Sequence, residues 1–262
     1  MPSSALHVAR TGLEAQDTRM RVIANNLANV GTTGFKRDRA NFATLAYQDA
    51  RVAGQQSSGE TAYATGLNLG TGVGIQGTSR IDSQGSLQST SNALDLALDG
   101  DGYFQVALPG GQLAYTRAGN FSRSSEGQLV TSQGYVVQPP ITVPEGASAI
   151  TIAPDGTVSA TVAGSGTPTQ LGQITIASFT NPSGLQNKGD NFLLETAASG
   201  AAQVGIAGQD GRGQIRQGYL EASNVNVVEE LVDMIECQRA YEINSKMISA
   251  VDEMLKNANQ TL

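Results

Sequence analysis

Apolar residues recur at helical spacing near the N-terminus. Successive positions lie three and four residues apart over more than three heptads, a pattern typical of a coiled-coil seam. The seam consists of Leu6, Ala9, Leu13, Gln16, Met20, Ile23, Leu27 and Val30. Only Gln16 is polar, and Gly31 and Gly34 can end the helix beyond Val30. The pattern predicts a helix from about residue 4 to residue 30.

A second helix is predicted at the C-terminal end. Asn226, followed three residues later by Glu229, resembles a capping box. One apolar seam then runs through Val227, Leu231, Met234, Tyr241, Ile248 and Leu255. A second runs beside it through Ala240, Ile243, Met247, Ala250, Val251 and Met254. Because so wide an apolar arc needs several neighbours and the chain has one other convincing helix, we expect the remaining neighbours to be other copies.

Between the helices the pattern changes to strands and turns. Segments that alternate or are rich in β-branched and aromatic residues predict strands at Tyr103–Leu108, Leu113–Arg117, Gln128–Val137, Ala149–Ala153, Thr157–Val162 and Gln173–Phe179. Pro109-Gly110-Gly111 and Pro154-Asp155-Gly156 read as hairpin turns. Gln48–Gly77 and Ala197–Gly213 have few large apolar residues, which predicts extended, weakly self-stabilised segments.

The predicted fold is therefore an α+β multidomain protein. Its N- and C-terminal helices form a coiled-coil-like core, extended segments follow, and the middle is an all-β domain. We assign residues 1–34 and 224–262 to the helical core and residues 35–94 and 197–223 to the connecting region. Residues 95–196 form the central β domain.

Composition and charge exclude several classes of function. Charged residues are 15% of the 262-residue chain, against roughly 25% in average soluble domains. The net charge of −7 argues against nucleic-acid binding, because phosphate affinity needs a basic surface. One cysteine and one histidine cannot form an internal disulfide or a Cys/His metal site. Neither a cleavable signal peptide nor a membrane-inserting apolar run is expected.

No catalytic, cofactor-binding or metal-binding residues are predicted, and we expect the protein not to be an enzyme. His7 has no second histidine with which to build a triad or metal site, and Cys237 lies among apolar helix positions, which predicts a buried thiol. Asp99-Gly100-Asp101-Gly102 begins like a calcium loop, but Tyr103 follows where another acidic ligand is needed. A carbohydrate-active enzyme would need paired carboxylates, and the nearest candidates are Asp95, Asp99, Asp101 and Glu126.

Residues 24–36 resemble the N-terminal signature of the flagellar rod and hook protein family. The matching positions are Ala24, Asn25, Asn26, Leu27, Ala28, Asn29, Thr32, Gly34, Phe35 and Lys36. Residues 223–235 and 238–246 resemble the closing helix of that family, and Gly100–Val106 and Tyr115–Phe121 resemble its β domain. The resemblance covers nearly the whole chain.

Within that family, the length and the segment Tyr47–Gly74 are similar to distal rod subunits. The resemblance implies a hollow helical homopolymer that serves as a drive shaft and transmits torque from motor to hook. It implies export through the type III apparatus without a cleaved signal peptide, and a place in the basal body where the distal rod crosses the periplasm. Implied partners are proximal rod proteins, the hook protein and the P- and L-ring proteins. A proximal rod or hook-type subunit remains an alternative, as does a stalk-mounted β-domain binding module.

The apolar seams supply the predicted subunit interface. Its residues are Leu6, Leu13, Met20, Ile23, Leu27, Val30, Val227, Leu231, Met234, Tyr241, Met247, Ile248 and Leu255. The amides of Asn25, Asn26 and Asn29 either form a solvated helix face or bond to backbone groups where the helix ends. Gln16 and Gln238 either set the register between helices or point into the lumen of the tube.

Overall fold

Two long helices and a β-rich middle make up the chain in the computed structural model, which confirms the α+β class. The structure describes residues 2–54, 56–58, 61–162 and 167–260. The chain divides into two units. The helical unit contains Met1–Ala28, Asp38–Ser79 and Asn226–Leu262, and the β unit contains Asn29–Arg37 and Arg80–Val225. The division into three sequence-defined domains stays a prediction.

The two helices of the helical unit are α1, Pro2–Ala28, and α2, Val227–Gln260. Helix α1 ends two residues before the predicted limit at Val30, because the chain turns after Ala28 and the Thr32 N–H donates to the Asn29 carbonyl at 3.1 Å. Helix α2 begins where predicted. The side-chain oxygen of Asn226 accepts from the Val228 N–H at 3.1 Å, which satisfies one of the free donors at the helix start.

Six strands lie in residues 38–80, and all of these residues except Arg80 belong to the helical unit. They are β1 (Asp38–Thr44), β2 (Tyr47–Arg51), β3 (Gln56–Ser58), β4 (Thr61–Ala62), β5 (Leu67–Gly70) and β6 (Val73–Arg80). They pair as β1 with β6, β2 with β5 and β3 with β4. Most side chains of β2 and all those of β5 are exposed. Gln55, Gly59 and Glu60 of the predicted extended segment lie outside the described residues.

The β unit contains sixteen short strands among its described residues. The first eight are β7 (Leu87–Ser89), β8 (Leu96–Asp99), β9 (Tyr103–Ala107), β10 (Leu113–Thr116), β11 (Ser122–Arg123), β12 (Leu129–Val130), β13 (Val136–Gln138) and β14 (Ala147–Ile152). The others are β15 (Thr157–Val162), β16 (Thr169–Gln173), β17 (Thr175–Ser178), β18 (Gln186–Gly189), β19 (Phe192–Leu194), β20 (Gln203–Ile206), β21 (Gln214–Gln217) and β22 (Tyr219–Glu221).

The largest sheet of the β unit runs in the order β11-β12-β13-β9-β10-β19-β18, and β17 joins it by pairing with β9 and β20. Strands β14, β15 and β16 form a second, antiparallel sheet. Both predicted hairpin turns are confirmed, since Pro109-Gly110-Gly111 joins β9 to β10 and Pro154-Asp155-Gly156 joins β14 to β15. The single predicted strand Gln128–Val137 is wrong: the Gly134 N–H donates to the Thr131 carbonyl, and this turn separates β12 from β13.

Aliphatic and aromatic residues from both sheets form the main core of the β unit. Its members are Leu96, Leu98, Phe104, Phe121, Leu129, Val137, Ile141, Ile152, Val158, Ile174, Ile176, Ala207 and Ile215. The rings of Phe104 and Phe121 meet edge to face, with centroids 5.2 Å apart. The β unit therefore has a hydrophobic core of its own.

A buried ionic cluster joins four segments of the β unit. The Glu221 carboxylate, which is fully buried, accepts from the Lys36 ammonium, from the Arg117 guanidinium at 3.3 Å and from the Gly85 N–H at 3.0 Å. Lys36 also donates to the Ser83 carbonyl at 2.8 Å. Burial is the largest influence on the Lys36 ammonium and lowers its pKa, although Glu221 acts in the opposite direction.

Gly34 lies against the backbone of Arg117 and Ala118, directly after strand β10. Its φ is +69°, and a Cβ added there would lie 2.6 Å from the Arg117 carbonyl carbon. The Gly34 N–H donates to the Glu221 carbonyl at 2.8 Å. Only glycine satisfies both the backbone conformation and the close approach.

The substitution Gly34→Ala should lower the free energy of unfolding by about 2–4 kcal/mol, because it combines a strained left-handed backbone with overpacking. Urea unfolding at equilibrium measures the change. Gly31→Ala is the matched control, since no atom lies within 4 Å of a Cβ at that position. A Gly34→Ala protein as stable as the Gly31→Ala protein would contradict the close approach.

Tyr103 should ionise later than an ordinary tyrosine. Burial raises the pKa of its phenol from 10.0 to about 12, and the hydroxyl donates to Asp82 at 3.1 Å. The unfolded chain therefore releases this proton first, so the stabilising contribution is complete below pH 10 and is lost as the pH rises towards 12. Absorbance of phenolate during alkaline titration, compared with Tyr103→Phe, measures this. The late-titrating component should be absent from the variant.

Candidate assembly interface

Helices α1 and α2 pack against each other in opposite directions. Gly12 faces Asn244, the Gln16 carbonyl accepts from the Cys237 thiol at 3.1 Å, and Arg19 contacts Asp233. Residue numbers therefore rise along α1 as they fall along α2. A Cβ on Gly12 would lie 3.1 Å from the Asn244 amide nitrogen, so glycine permits the helices to come this close.

Polar groups occupy much of the contact between the two helices. The Arg19 guanidinium donates to the Asp233 carboxylate at 2.9 Å, and the Glu236 carboxylate is 3.9 Å away. Because the Arg19 and Asp233 side chains are both about one-third exposed, this pair contributes at most about 1 kcal/mol. We call this contact surface the polar seam; its residues are Gly12, Gln16, Arg19 and Asn26 of α1 and Glu230, Asp233, Cys237 and Asn244 of α2.

Asn26 forms several hydrogen bonds in and beside the polar seam. Its side chain is 1% exposed and bonds to both backbone groups of Asp38: it donates to the carbonyl and accepts from the N–H, each at 2.9 Å. The same amide donates to the Glu230 carboxylate at 3.2 and 3.3 Å, and Glu230 is also 1% exposed. Asn29 accepts from the Thr32 hydroxyl at 3.2 Å. The backbone-bonding interpretation therefore holds for Asn26, whereas Asn25 is exposed.

The predicted interface residues occupy positions of different exposure. Ile23 is buried. The half-buried members are Leu6, Leu13, Met20, Leu27, Val30, Met234, Ile248 and Leu255, and the exposed ones are Val227, Leu231, Tyr241 and Met247. Their role between subunits stays a prediction.

The side of α2 that faces away from α1 carries a long stripe of exposed apolar residues, which Arg239 interrupts. We call it the outer stripe; its residues are Val228, Val232, Ile235, Ile243, Met247 and Met254, each at least 46% exposed. Arg239 and Ala250 complete the spacing of three and four residues along the same side. The residues that face α1 lie elsewhere on the helix, with Glu230, Cys237 and Val251 buried.

The signature residues divide between buried and exposed positions. Asn26, Gly34 and Lys36 are buried; Leu27, Asn29, Thr32 and Phe35 are half-buried; Ala24, Asn25 and Ala28 are exposed. The three buried residues are those with specific contacts to Glu230, to the Arg117 backbone and to Glu221. The signature thus holds residues from both the helical and the β unit in place, each within its own unit.

The sequence interpretation missed most of the polar seam. Arg19 and Asp233 are not among the predicted contacts, and Glu230 is predicted only to favour the positive end of the helix dipole, because a charged residue on a helix is usually solvated. One signal was present: Glu230, Cys237, Asn244 and Val251 recur every seven residues, which is the repeat of a helix contact. Gln16 contributes its backbone carbonyl to the seam, and Gln238 is exposed.

Titratable groups add little chemistry to these surfaces. His7 is exposed on α1, and Cys237 is fully buried, so that burial raises the pKa of its thiol. Across the described residues, no three histidine, cysteine, aspartate or glutamate side chains are grouped so that they could hold a metal ion. Within the same part of the chain, neither helix combines the length and apolar character needed to cross a membrane.

Three family models match the chain. The model described as "Flagella basal body rod protein" matches residues 6–36, and "Flagellar hook protein FlgE/F/G D1 domain" matches residues 97–160. The model described as "Flagellar basal body rod FlgEFG protein C-terminal" matches residues 216–261. The two terminal matches cover the helices of the polar seam and the outer stripe.

Known proteins resemble the chain over almost its full length. The "Flagellar basal-body rod protein FlgG" of Buchnera aphidicola subsp. Acyrthosiphon pisum (strain APS) is 50% identical over 256 residues, which is 98% of each chain. The protein of that name from Caulobacter vibrioides is 48% identical over 257 residues, again 98% of each chain. The one from Bacillus subtilis (strain 168) is 39% identical over 96% of each chain. The chain belongs to the flagellar basal-body rod protein family.

Proposed function

We propose that the chain is a structural, non-catalytic subunit of the flagellar distal rod, and that copies of it assemble into a hollow helical shaft. The relatives named as flagellar basal-body rod proteins support the structural role, since they match the chain from end to end. The shaft transmits torque from the motor to the hook. Its stiffness requires that each subunit contact several others through closely packed surfaces.

The outer stripe of α2 carries this proposal. Six large apolar side chains on one helix are exposed in the isolated chain, where contact with water disfavours them. Full burial contributes roughly 1.5–3 kcal/mol for a side chain of this kind. The stripe extends from Val228 to Met254, along most of α2, so a helix of comparable length in a neighbouring copy can cover it.

The same assembly assigns roles to the remaining predicted interface residues. Val227, Leu231, Tyr241 and Met247 are already exposed and contact neighbouring copies directly. The half-buried members complete a coiled-coil-like core in which helices of one chain and of its neighbours are enclosed together. The helical segments 1–34 and 224–262 form that core, residues 35–94 and 197–223 connect it, and residues 95–196 form the β domain.

The proposed neighbours follow from the position of a distal rod. Subunits reach the periplasm through the type III export apparatus without a cleaved signal peptide. Proximal rod proteins then lie on the motor side, the hook protein on the far side, and the P- and L-ring proteins around the shaft. Electron microscopy of basal bodies from cells lacking the gene tests this placement. A shaft that ends before the outer membrane supports it, whereas a full-length shaft without a hook favours a hook-type subunit.

Placing a charge on the outer stripe should prevent assembly without unfolding the subunit. In Val232→Glu, each interface loses the burial of one side chain and must also desolvate a carboxylate, so complete shafts should become at least about tenfold fewer. Counting shafts in purified basal bodies, in cells whose only copy of the gene is the variant, measures the effect. Circular dichroism of the purified subunit should be unchanged.

Val204→Glu is the matched control for this substitution. Val204 lies on β20 in the β unit, and it is 51% exposed against 52% for Val232, so both variants place the same charge at the same exposure. We expect Val204→Glu cells to make normal numbers of shafts. Equal shaft numbers in the two variants would show that the outer stripe is not part of the interface between subunits.

A further inference from the structure

Apolar surface alone does not decide which helices pair. A stripe of valine, isoleucine and methionine accepts many apolar partners, because burial of apolar area is not directional. Discrimination in helix pairing comes from polar and charged positions, where a wrong partner leaves a hydrogen-bonding group without its match. The polar seam has such groups on both helices.

The contacts of the polar seam specify one register. Gly12 meets Asn244, Gln16 meets Cys237, Arg19 meets Asp233 and Asn26 meets Glu230, in that order along the two helices. Moving either helix by one turn is a displacement of about 5.4 Å and breaks all of these pairs. The side chains of Asn26 and Glu230, each 1% exposed, would then lose each other in a place where water does not replace the bond.

Other contacts hold α1 close to strands of its own chain. The Asn26 side chain bonds to both backbone groups of Asp38, at the start of β1. About four turns earlier in α1, the Thr11 hydroxyl oxygen accepts from the Val73 N–H, at the start of β6, at 3.3 Å. These strands pair with each other, so α1 is attached at two points to one small sheet. Its polar side is therefore presented at a fixed angle to α2 of the same chain.

We propose that the polar seam selects the partner of α1: it holds α2 of the same chain in one register and rejects α2 of a neighbouring copy or a shifted pairing. The outer stripe is then left for contacts between copies. The inference rests on the proposed function only in that neighbouring copies supply the competing helices. The outer stripe of α2 thus provides affinity between subunits, and the opposite side, which carries the polar seam, determines which helix pairs with it.

A single introduced cysteine tests which helices pair in the shaft. Cys237 is the one cysteine of the chain, and its thiol donates to the backbone carbonyl of Gln16, so Gln16→Cys places a second thiol on the residue that Cys237 contacts. Assembled shafts are oxidised with diamide, which takes up the two thiol hydrogens and leaves a disulfide. The shafts are then dissolved in denaturant and run on a non-reducing gel. We expect a disulfide within one chain: monomer mass, faster migration and no free thiol.

The other results of this oxidation each overturn the inference. Disulfide-linked dimers mean that α1 pairs with α2 of another copy. If no link forms, either with diamide or with a short bis-maleimide that spans a wider separation of thiols, residues 16 and 237 are not neighbours in the shaft. Wild-type shafts serve as the control and should keep their buried thiol reduced, because burial raises the pKa of Cys237 and thiolate is the form that reacts.

Charge reversal gives a second, independent test. Arg19→Glu and Asp233→Arg should each reduce the number of shafts by about fivefold or more, because each brings like charges together in the seam. Both changes in one chain should restore most of the shafts. Co-expression of the two single variants should not restore them, since no single chain then carries a matched pair.

Arg21→Glu is the control for reversal of charge on α1. Arg21 is 78% exposed, and its partner Asp17 lies one turn earlier in the same helix, outside the polar seam. An Arg19→Glu variant that assembles as well as Arg21→Glu would contradict selection by the seam. Restoration by co-expression would show pairing between chains. If the wild-type chain forms no shaft, the proposed function fails; if shafts form with linked dimers, only this inference fails.

Discussion

Two sides of helix α2 carry residues that can pack against another helix. Among the described residues of the helical unit, α1 is the one other helix, and it covers one of these sides. The side facing α1 includes the small and polar residues Cys237 and Asn244 together with Val251, whereas the outer stripe consists of exposed valine, isoleucine and methionine side chains. In water this arrangement leaves substantial apolar area uncovered. Under the proposed function, neighbouring copies cover this area, and the position of the stripe sets where they dock.

Each unit contains a buried carboxylate that is hydrogen-bonded. In the helical unit, the Glu230 carboxylate accepts from the Asn26 amide, and this contact depends on the orientation of the amide. In the β unit, Glu221 is matched with two cations and a backbone N–H. Removing a single partner from such a cluster is costly, because a charge is left in a medium that solvates it poorly. Both carboxylates contact residues of the N-terminal signature, which explains why its amide and its lysine are specific.

Sequence patterns predicted the parts of the fold that depend on local rules. The helix at each end, the Asn226 cap and both glycine-containing hairpins follow from spacing and turn chemistry, and all are present. The side of α2 that meets α1 could not be predicted in the same way. When a helix is apolar over a wide arc, periodicity does not say which stripe is inside, and Glu230 and Asp233 acquire partners only once α1 is beside them. Gly34 was recognised as a helix stop, but its contact with the Arg117 backbone depends on residues more than eighty positions away.

The ionic cluster of the β unit also brings distant parts of the chain side by side. Gly34 lies in the first segment of this unit and bonds to Glu221, near the end of the unit. Ser83 lies near the start of the second segment and accepts from Lys36, which also bonds to Glu221. A lobe whose first and last residues are neighbours can be lengthened, shortened or exchanged without moving the ends to which it is attached.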